Sequence, residues 1–490
     1  MPDQTWPDVS PPDLSESDSV SGTGGPGTGG PGTGTVDLLV VNGRLITPQE
    51  VRPGGLTVRG GKIAEILRQG EHRPANRMID AAGRYVLPGL IDSHVHFRTP
   101  GLTYKEDWAH GSRAAAVGGV TTVIDMPNTM PPLFDPADAD AKAAEIAGTS
   151  LVDFCFHLGV DEKRPELLAE LTPREAVSAK VFMAGHHTAP HVIRAPDVLS
   201  RVFVTAAAVG VRLVLHAEDD AVFELLDGWS GPPREYRDYE SLRPRTGGIV
   251  AVAKVIELVR RHGTAAHVLH VSSAEEVDLL SAAAHAGLPV TFEVTPHHLS
   301  FTAADTGRLG ARIRLSPSIR HEADQRRLWA AVRSGGVTTI GSDHAPHTRT
   351  EKSRPVSEAP PGLPGVQELL PAVFTGLRRH FPEDPMDRHL SRLADLVAAA
   401  PAELFGIAGS KGRLEPGLDA DFILLDPTAT WMMRAEDVAA KCGWSAYEGW
   451  TMTGRVELTV RRGEVIWDHE NGTFGTPSGR WLAALTGGPS

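Results

Sequence analysis

The sequence predicts an α/β protein built on a (β/α)8 TIM barrel, with a small β-sandwich domain formed from the N- and C-terminal segments. Eight apolar, β-branched runs recur through the middle of the chain, and most are separated by Ala-, Leu-, Glu- and Arg-rich segments of helical character. Parallel strands buried on both faces are continuously apolar, and their alternation with helices is typical of βαβ units. The count of eight favours a barrel, although a doubly wound open sheet gives a similar pattern.

Short β-like runs with turn signals occupy both ends of the chain, for example "VDLLVVNGRLIT" and "VELTVRRGEVIW". We therefore expect a β-sandwich made of residues 36–85 and 411–470, with the barrel of residues 86–410 inserted between them. Residues 1–35 are rich in Gly, Pro, Ser and Thr and are expected to form a disordered tail. Residues 471–490 are expected to form a C-terminal tail.

Composition narrows the class of protein. The 490 residues are 41% hydrophobic with a net charge of −13, which describes a soluble globular protein and argues against nucleic-acid or anionic-membrane partners. No apolar segment approaches the ~20 residues of a membrane span, and the start lacks a signal-peptide layout. The two cysteines, Cys155 and Cys442, lie far apart. We therefore expect a cytoplasmic enzyme.

Polar side chains stand at the carboxyl ends of the predicted barrel strands, where barrel chemistry takes place. In "GLIDSHVHFRTPG", His94, His96 and Arg98 recur with the period of a strand and point to one side. Each such residue alone is more often an ordinary core or loop residue, but their recurrence at one end of one barrel predicts a shared site. The positions on later strands are Asn128, Lys180, His216, His270, the range 293–298, Asp343, His344 and His347.

Four histidines and one aspartate in this set suit Zn²⁺ or a similar divalent ion. Five ligands exceed the needs of one zinc ion, so two metal ions sharing a bridge fit better. A protonated lysine beside two cations would be strongly disfavoured. A deprotonated Lys180 can instead add carbon dioxide and become a carbamate, which is an anionic bridging ligand.

The motifs together resemble the cyclic amidohydrolases of the amidohydrolase superfamily, and most nearly the dihydroorotase group. They include "GLIDSHVHFR", "MPNTMPP", "AKVFMAG", "HAED", "LHVSS", "VTPHHL" and "SDHAPHTRTEKS", within a resemblance that spans roughly residues 36–470. The resemblance implies a two-metal hydrolase in which Asp343 takes a proton from the attacking water and delivers it to the leaving ring nitrogen. It also implies a homo-oligomer acting on a small cyclic amide. The implied metal ligands are His94, His96 and Asp343 for one ion, His216 and His270 for the second, and carboxylated Lys180 as the bridge.

The resemblance further implies how a substrate is bound. Arg98, Asn128 and His347 match residues that bind the ring carboxylate of dihydroorotate, and a guanidinium can bind a carboxylate bidentately. Ser316 matches a position that contacts the ring, and Pro361 and Gly362 match a loop that covers it. The expected reaction interconverts dihydroorotate and N-carbamoyl-L-aspartate, a step of pyrimidine biosynthesis.

Two positions depart from the dihydroorotase pattern: Thr99 stands where Glu is usual, and Ser316 where Asn is common. An allantoinase, a hydantoinase or another cyclic-ureide hydrolase is therefore the alternative function. A non-catalytic scaffold homologue is a further alternative, disfavoured because all six implied metal ligands are present. His186 and His187, which follow the Lys180 strand, are interpreted as loop histidines.

Overall fold

The protein, described here by a computed structural model, is covered over residues 34–185, 191–230 and 234–483. The tail residues 1–33 and 484–490, and the histidines at 186 and 187, lie outside the described residues. Five strands precede the barrel: β1 (Val36–Ile46), β2 (Val51–Arg59), β3 (Lys62–Arg68), β4 (Ala75–Asp80) and β5 (Tyr85–Pro88).

Eight parallel strands then form the barrel, and each pairs with the next in chain order. Val95 in the first strand forms a bridge with His344, which follows the last strand, so the barrel closes at the end where the polar residues lie. The strands are β6 (Leu90–Val95), β7 (Val120–Asp125), β8 (Asp153–Gly159), β9 (Ser178–Phe182), β10 (Leu213–His216), β11 (Ala266–Val268), β12 (Val290–Val294) and β13 (Thr339–Ile340).

The chain returns to the first sheet after the barrel, with β14 (Phe422–Met432), β15 (Thr451–Arg461), β16 (Glu464–Asp468) and β17 (Thr473–Phe474). Strand β14 pairs antiparallel with β5, so both ends of the chain join in one nine-stranded sheet. Its order is β17-β16-β15-β14-β5-β1-β2-β3, with β4 also pairing with β1. The predicted fold class, a barrel with a small β-domain made from both chain ends, is confirmed.

Helices cover the outside of the barrel, and two of them begin at N-cap side chains. The side chain of Asp107 accepts a hydrogen bond from the His110 amide and begins α1, and Ser273 does the same for α7 from Glu276. The helices are α1 (Trp108–Val117), α2 (Pro136–Ile146), α3 (Pro196–Val209), α4 (Asp220–Ser230), α5 (Tyr239–Leu242), α6 (Arg245–His262), α7 (Ala274–His285), α8 (Pro296–Ser300), α9 (Thr306–Leu309), α10 (Glu322–Ser334), α11 (Arg349–Lys352), α12 (Leu369–His380), α13 (Met386–Ala394) and α14 (Ala400–Leu404).

The main apolar core lies between strands and helices, where Val123, Phe156, Val202, Val255 and Leu280 are all buried. Burial of such large apolar area is the dominant favourable term in folding. Over the residues that the structure covers, no helix combines the length and apolar character needed to cross a membrane.

The last described residues pair with the barrel itself. The Phe154 amide donates to the carbonyl of Arg480 at 2.9 Å, and the Leu482 amide donates to the carbonyl of Phe154 at 2.8 Å. The Trp481 ring lies 5.6 Å from the ring of Phe156. The segment from Gly479 to Leu482 therefore continues the barrel wall beside the start of β8, at the end opposite the polar strand ends.

Candidate metal centre and substrate pocket

One pocket at the carboxyl ends of the barrel strands brings together most of the residues that the sequence singles out. It is lined by His94, His96, Arg98, Lys180, His216, His270, Ser316, Asp343, Pro361 and Gly362, together with Phe182, Leu315 and Ala345. Asn128 and His347 are buried beside the pocket and contact its lining from behind.

Three of the lining side chains form a compact ligand group. Oδ1 of Asp343 lies 3.2 Å from Nε2 of His94 and 3.2 Å from Nε2 of His96. Their ligand atoms all lie within 4.8 Å of one another, and all three residues are buried. Two imidazoles and a carboxylate in this arrangement suit a divalent ion such as zinc.

A second pair of histidines faces the same pocket. Nδ1 of His216 lies 3.0 Å from Nε2 of His270, and the His270 ring lies 5.4 Å from the ring of His94. Nδ1 of His270 is buried and has no hydrogen-bond partner among the described residues. The two histidines thus present nitrogens to one point, next to the first group.

The other nitrogens of three of these histidines are held by polar side chains. Glu293 Oε1 lies 2.7 Å from Nδ1 of His94, and Asn128 Oδ1 lies 2.8 Å from Nδ1 of His96. Glu218 Oε2 lies 2.9 Å from Nε2 of His216. Partners of this kind fix the tautomer and orientation of histidines that bind metals.

Burial favours the forms of these groups that bind metal ions. It lowers the pKa of His94 to about 4 and holds the pKa values of His96 and His270 well below the ordinary range. These imidazoles are therefore neutral at pH 7, as metal ligation requires.

Lys180 projects from β9 into the pocket and is buried. Burial lowers its pKa to about 7, even though Asp343 and Glu293 favour the charged form. About half of such side chains carry a neutral amine at pH 7. A neutral amine is the form that can add carbon dioxide.

Among the residues that the structure describes, Arg98 is the one buried guanidinium that lines this pocket. Its Nε and Nη1 have no hydrogen-bond partner among the described residues. Burial lowers the pKa of Arg98 to about 10, so the side chain remains a cation at neutral pH. An unpaired buried cation is costly, and it creates a site for an anionic group of a ligand.

Three residues that line the pocket have a strained backbone. Arg98, His270 and Asp343 have φ values of 62°, 39° and 46° respectively, in the left-handed region that residues other than glycine rarely adopt. Such conformations cost of order 1–3 kcal/mol each and cluster at functional sites. All three side chains line the pocket.

The remaining predicted substrate residues are already engaged within the protein. Lys105 Nζ donates to Nδ1 of His347 at 2.9 Å, and Nε2 of His347 donates to the carbonyl of Pro361 at 2.9 Å. The Gly362 amide donates to the carbonyl of Arg314, also at 2.9 Å. Pro361 and Gly362 therefore form a wall of the pocket and do not offer these polar groups to it.

Ser316 lines the pocket with its hydroxyl 2.8 Å from the Tyr239 hydroxyl. Three residues that the sequence did not single out contact residues of the pocket or their partners: Glu218, Arg243 and Lys352. Glu218 stands in the "HAED" motif, so its proximity to His216 was a usable signal. Lys352 stands in the motif "SDHAPHTRTEKS" and had a similar signal, whereas Arg243 lies outside the quoted motifs.

A closed β/α barrel with buried histidines, a carboxylate and a lysine at its strand ends defines a class of barrel proteins with a candidate metal centre. The comparison with known families agrees with this class. The chain belongs to the amidohydrolase family, whose pattern matches residues 85–466. The sequence-based expectation of that family is confirmed.

Individual relatives carry several names. The chain is 34% identical to a dihydroorotase of Methanosarcina acetivorans over 440 residues, which cover 88% of this chain and 92% of that protein. It is 35% identical to an allantoinase of Rubrobacter xylanophilus over 446 residues, which cover 88% and 96%. An L-hydantoinase (dihydropyrimidinase) structure from Arthrobacter aurescens superposes with a TM-score of 0.86 at 28% identity, covering 92% of this chain and all of that one.

Proposed function

We propose that the protein is a metal-dependent cyclic amide hydrolase that interconverts dihydroorotate and N-carbamoyl-L-aspartate. One observation supports this substrate above others: the buried Arg98 guanidinium, with two unpaired donor nitrogens, lines the same pocket as the candidate metal ligands. Dihydroorotate carries a carboxylate on its ring, and allantoin and hydantoin do not. A carboxylate is the group that complements a guanidinium bidentately.

The residues present fit a two-metal centre. His94, His96 and Asp343 would hold one ion, His216 and His270 the other, and Lys180, as its carbamate, would bridge them. The ions, zinc by preference for this donor set, would supply Lewis acidity and water activated at neutral pH. Forming the bridge joins the neutral Lys180 nitrogen to the carbon of carbon dioxide and releases one proton to solvent.

The roles of the protein groups follow from their positions. Arg98 binds the ring carboxylate and turns the ring so that its amide faces the histidines. Asp343, whose Oδ1 lies between His94 and His96, accepts a proton from the attacking water. The same carboxyl returns that proton to the ring nitrogen as the carbon–nitrogen bond breaks. Ring closure uses these steps in reverse.

A second candidate, an allantoinase or hydantoinase activity, is favoured by a different observation. Both ring nitrogens of His347 are engaged by Lys105 and Pro361, so this histidine offers no additional contact to a substrate carboxylate. The Ser316 hydroxyl, held by Tyr239, faces the ring without an added charge. The relative named allantoinase is 35% identical to this chain, against 34% for the one named dihydroorotase, and the hydantoinase structure is 28% identical.

A substrate panel decides between the two candidates. We expect the highest kcat/KM with dihydroorotate in the hydrolytic direction and with N-carbamoyl-L-aspartate in the ring-closing direction. Dihydrouracil is the matched comparison, because it has the same ring without the carboxylate. Faster turnover of allantoin or hydantoin than of dihydroorotate would replace the first assignment by the second.

We also propose that the enzyme acts in the cytoplasm as a homo-oligomer. Its two cysteines, Cys155 and Cys442, are both free thiols, which suits a reducing compartment. Sedimentation of the purified metal-loaded enzyme tests the oligomeric state.

A further inference from the structure

Arg243 is a partly buried residue that contacts Glu218, the partner of His216 in the candidate second metal site. It directly follows α5, and its amide donates to the Tyr239 carbonyl at 3.0 Å. Nε and Nη2 of Arg243 lie 2.9 Å and 2.8 Å from Oε2 of Glu218. The guanidinium carbon also lies 4.7 Å from the centre of the Phe223 ring.

The same Glu218 oxygen accepts from His216. Nε2 of His216 lies 2.9 Å from Oε2 of Glu218, and Nδ1 of His216 lies 3.0 Å from Nε2 of His270. An ionised carboxylate can only accept a hydrogen bond, so Nε2 of His216 carries the hydrogen. Nδ1 of His216 then carries no hydrogen and can bind a metal ion. Glu218 therefore selects the tautomer in which His216 can bind a metal ion.

Arg243 holds that carboxylate in place. Glu218 has no exposed surface, and an ionised carboxylate buried alone would be strongly disfavoured. The main-chain carbonyl of Arg243 accepts from Nη1 of Arg320 at 2.7 Å, so the residue is fixed at both ends. Arg243, Glu218 and His216 thus form one continuous chain of hydrogen bonds.

We propose that Glu218 and Arg243 are positioning residues for the second metal ion, acting through the orientation and tautomer of His216. The proposal rests on the two-metal function proposed above. The proposal predicts different effects on the two metal ions, because His94 and His96 are oriented by other side chains, Glu293 and Asn128. Loss of Arg243 or Glu218 should weaken the second ion and leave the first unchanged.

The test measures Zn²⁺ binding by competition with a chromophoric chelator, using the full chain stripped of metal and kept in bicarbonate. We expect Glu218→Leu, which removes the acceptor, and Arg243→Met to weaken the second equivalent of Zn²⁺ about 10–100-fold, the usual effect of losing an orienting partner. The first equivalent should keep its wild-type affinity. The visible absorption of the Co²⁺-loaded protein should change in the intensity contributed by the second ion. Arg243→Lys, which keeps a cationic donor, should restore part of the affinity.

Two variants serve as matched controls. Arg245→Met removes a neighbouring guanidinium that pairs with Asp324 at 2.8 Å, away from the pocket. Tyr239→Phe alters the same segment but removes only the contact with Ser316. Both should bind two equivalents of Zn²⁺ with wild-type affinity.

Two results would overturn the proposal: wild-type affinity for the second equivalent in both Glu218→Leu and Arg243→Met, or equal weakening of both equivalents. Thermal unfolding of each apo-variant identifies a general loss of structure, and Glu218→Asp supplies a milder change if Glu218→Leu fails to fold. Metal binding is measured without substrate. Absence of dihydroorotate turnover by the metal-loaded wild type, together with a selective loss of the second ion in the variants, would therefore refute the substrate assignment and support the positioning role.

Discussion

Oδ1 of Asn128 lies 2.8 Å from Nδ1 of His96. The amide that the sequence assigns to substrate binding therefore also orients a candidate metal ligand. An amide oxygen accepts a hydrogen bond, so Nδ1 of His96 carries the hydrogen. Nε2 of His96, which lies beside Asp343, is then unprotonated. Asn128 is therefore predicted to contribute to both metal binding and substrate binding.

Replacing Asn128 by Ala should weaken the first metal ion. The His96 ring loses the partner that fixes its tautomer, and such losses cost about 10–100-fold in metal affinity. Chelator competition with Zn²⁺ measures the change. Asn128→Gln is the control, because it keeps the amide but moves it. Unchanged metal affinity in Asn128→Ala together with a raised KM would assign Asn128 to substrate binding alone.

Replacing Arg98 by Met should damage turnover of dihydroorotate far more than turnover of dihydrouracil. Truncating one partner of a buried, hydrogen-bonded charge pair costs roughly 2–5 kcal/mol, so kcat/KM for dihydroorotate should fall at least about 30-fold. Zn²⁺ stoichiometry should remain that of the wild type. Parallel steady-state assays of the two rings give the ratio. An equal loss on both rings would show that Arg98 does not act through the carboxylate.

Uptake of carbon dioxide by Lys180 should increase with pH between 6 and 8. Only the neutral amine reacts, and burial lowers the pKa of Lys180 to about 7. The neutral fraction then rises from about one-tenth at pH 6 to about nine-tenths at pH 8. Carbon-13 NMR of the apo-protein at constant dissolved ¹³CO₂ detects the carbamate. Lys180→Arg should give no such signal, and uptake that begins only near pH 10 would contradict the lowered pKa.

The sequence predicts the barrel and the metal-facing side chains because both follow local patterns. Continuous apolar runs mark strands buried on both faces, and the barrel closes at Val95 and His344 as the strand count requires. His94, His216 and Asp343 stand at strand ends that the topology brings together.

Contacts between distant loops carry no local pattern and could not be predicted in the same way. Arg243, which follows α5, pairs with Glu218 although the two residues lie 25 positions apart in the chain. The resemblance predicts that His347 binds the substrate, whereas in the structure its two ring nitrogens form hydrogen bonds with Lys105 and Pro361. Side-chain type and strand position determine which residues gather at the pocket, whereas tertiary packing determines which atoms remain open to a ligand.

Lys352 should position the loop that walls the pocket. Its buried Nζ donates to the carbonyl of Pro360 at 2.9 Å and to that of Gly362 at 2.7 Å. Lys352→Met leaves both carbonyls without this donor, at about 1–3 kcal/mol for each that stays buried and unpaired. We expect a lower free energy of unfolding in urea and a raised KM, with unchanged Zn²⁺ affinity. Lys62→Met, which removes an exposed lysine of the β-domain, is the control for loss of a charge.

Removing residues 478–490 should destabilise the barrel without altering its chemistry. The Phe154 amide and carbonyl lose Arg480 and Leu482 as partners, and unsatisfied buried backbone groups cost about 1–3 kcal/mol each. The free energy of unfolding should therefore fall by about 2–5 kcal/mol in urea titrations. The segment contacts the start of β8, at the opposite end of the barrel from His94 and Asp343, so kcat and KM at 25 °C should stay near wild type. A chain that lacks only residues 484–490 keeps all these contacts and should match the wild type; equal stability of the two truncations would show that pairing with β8 contributes little.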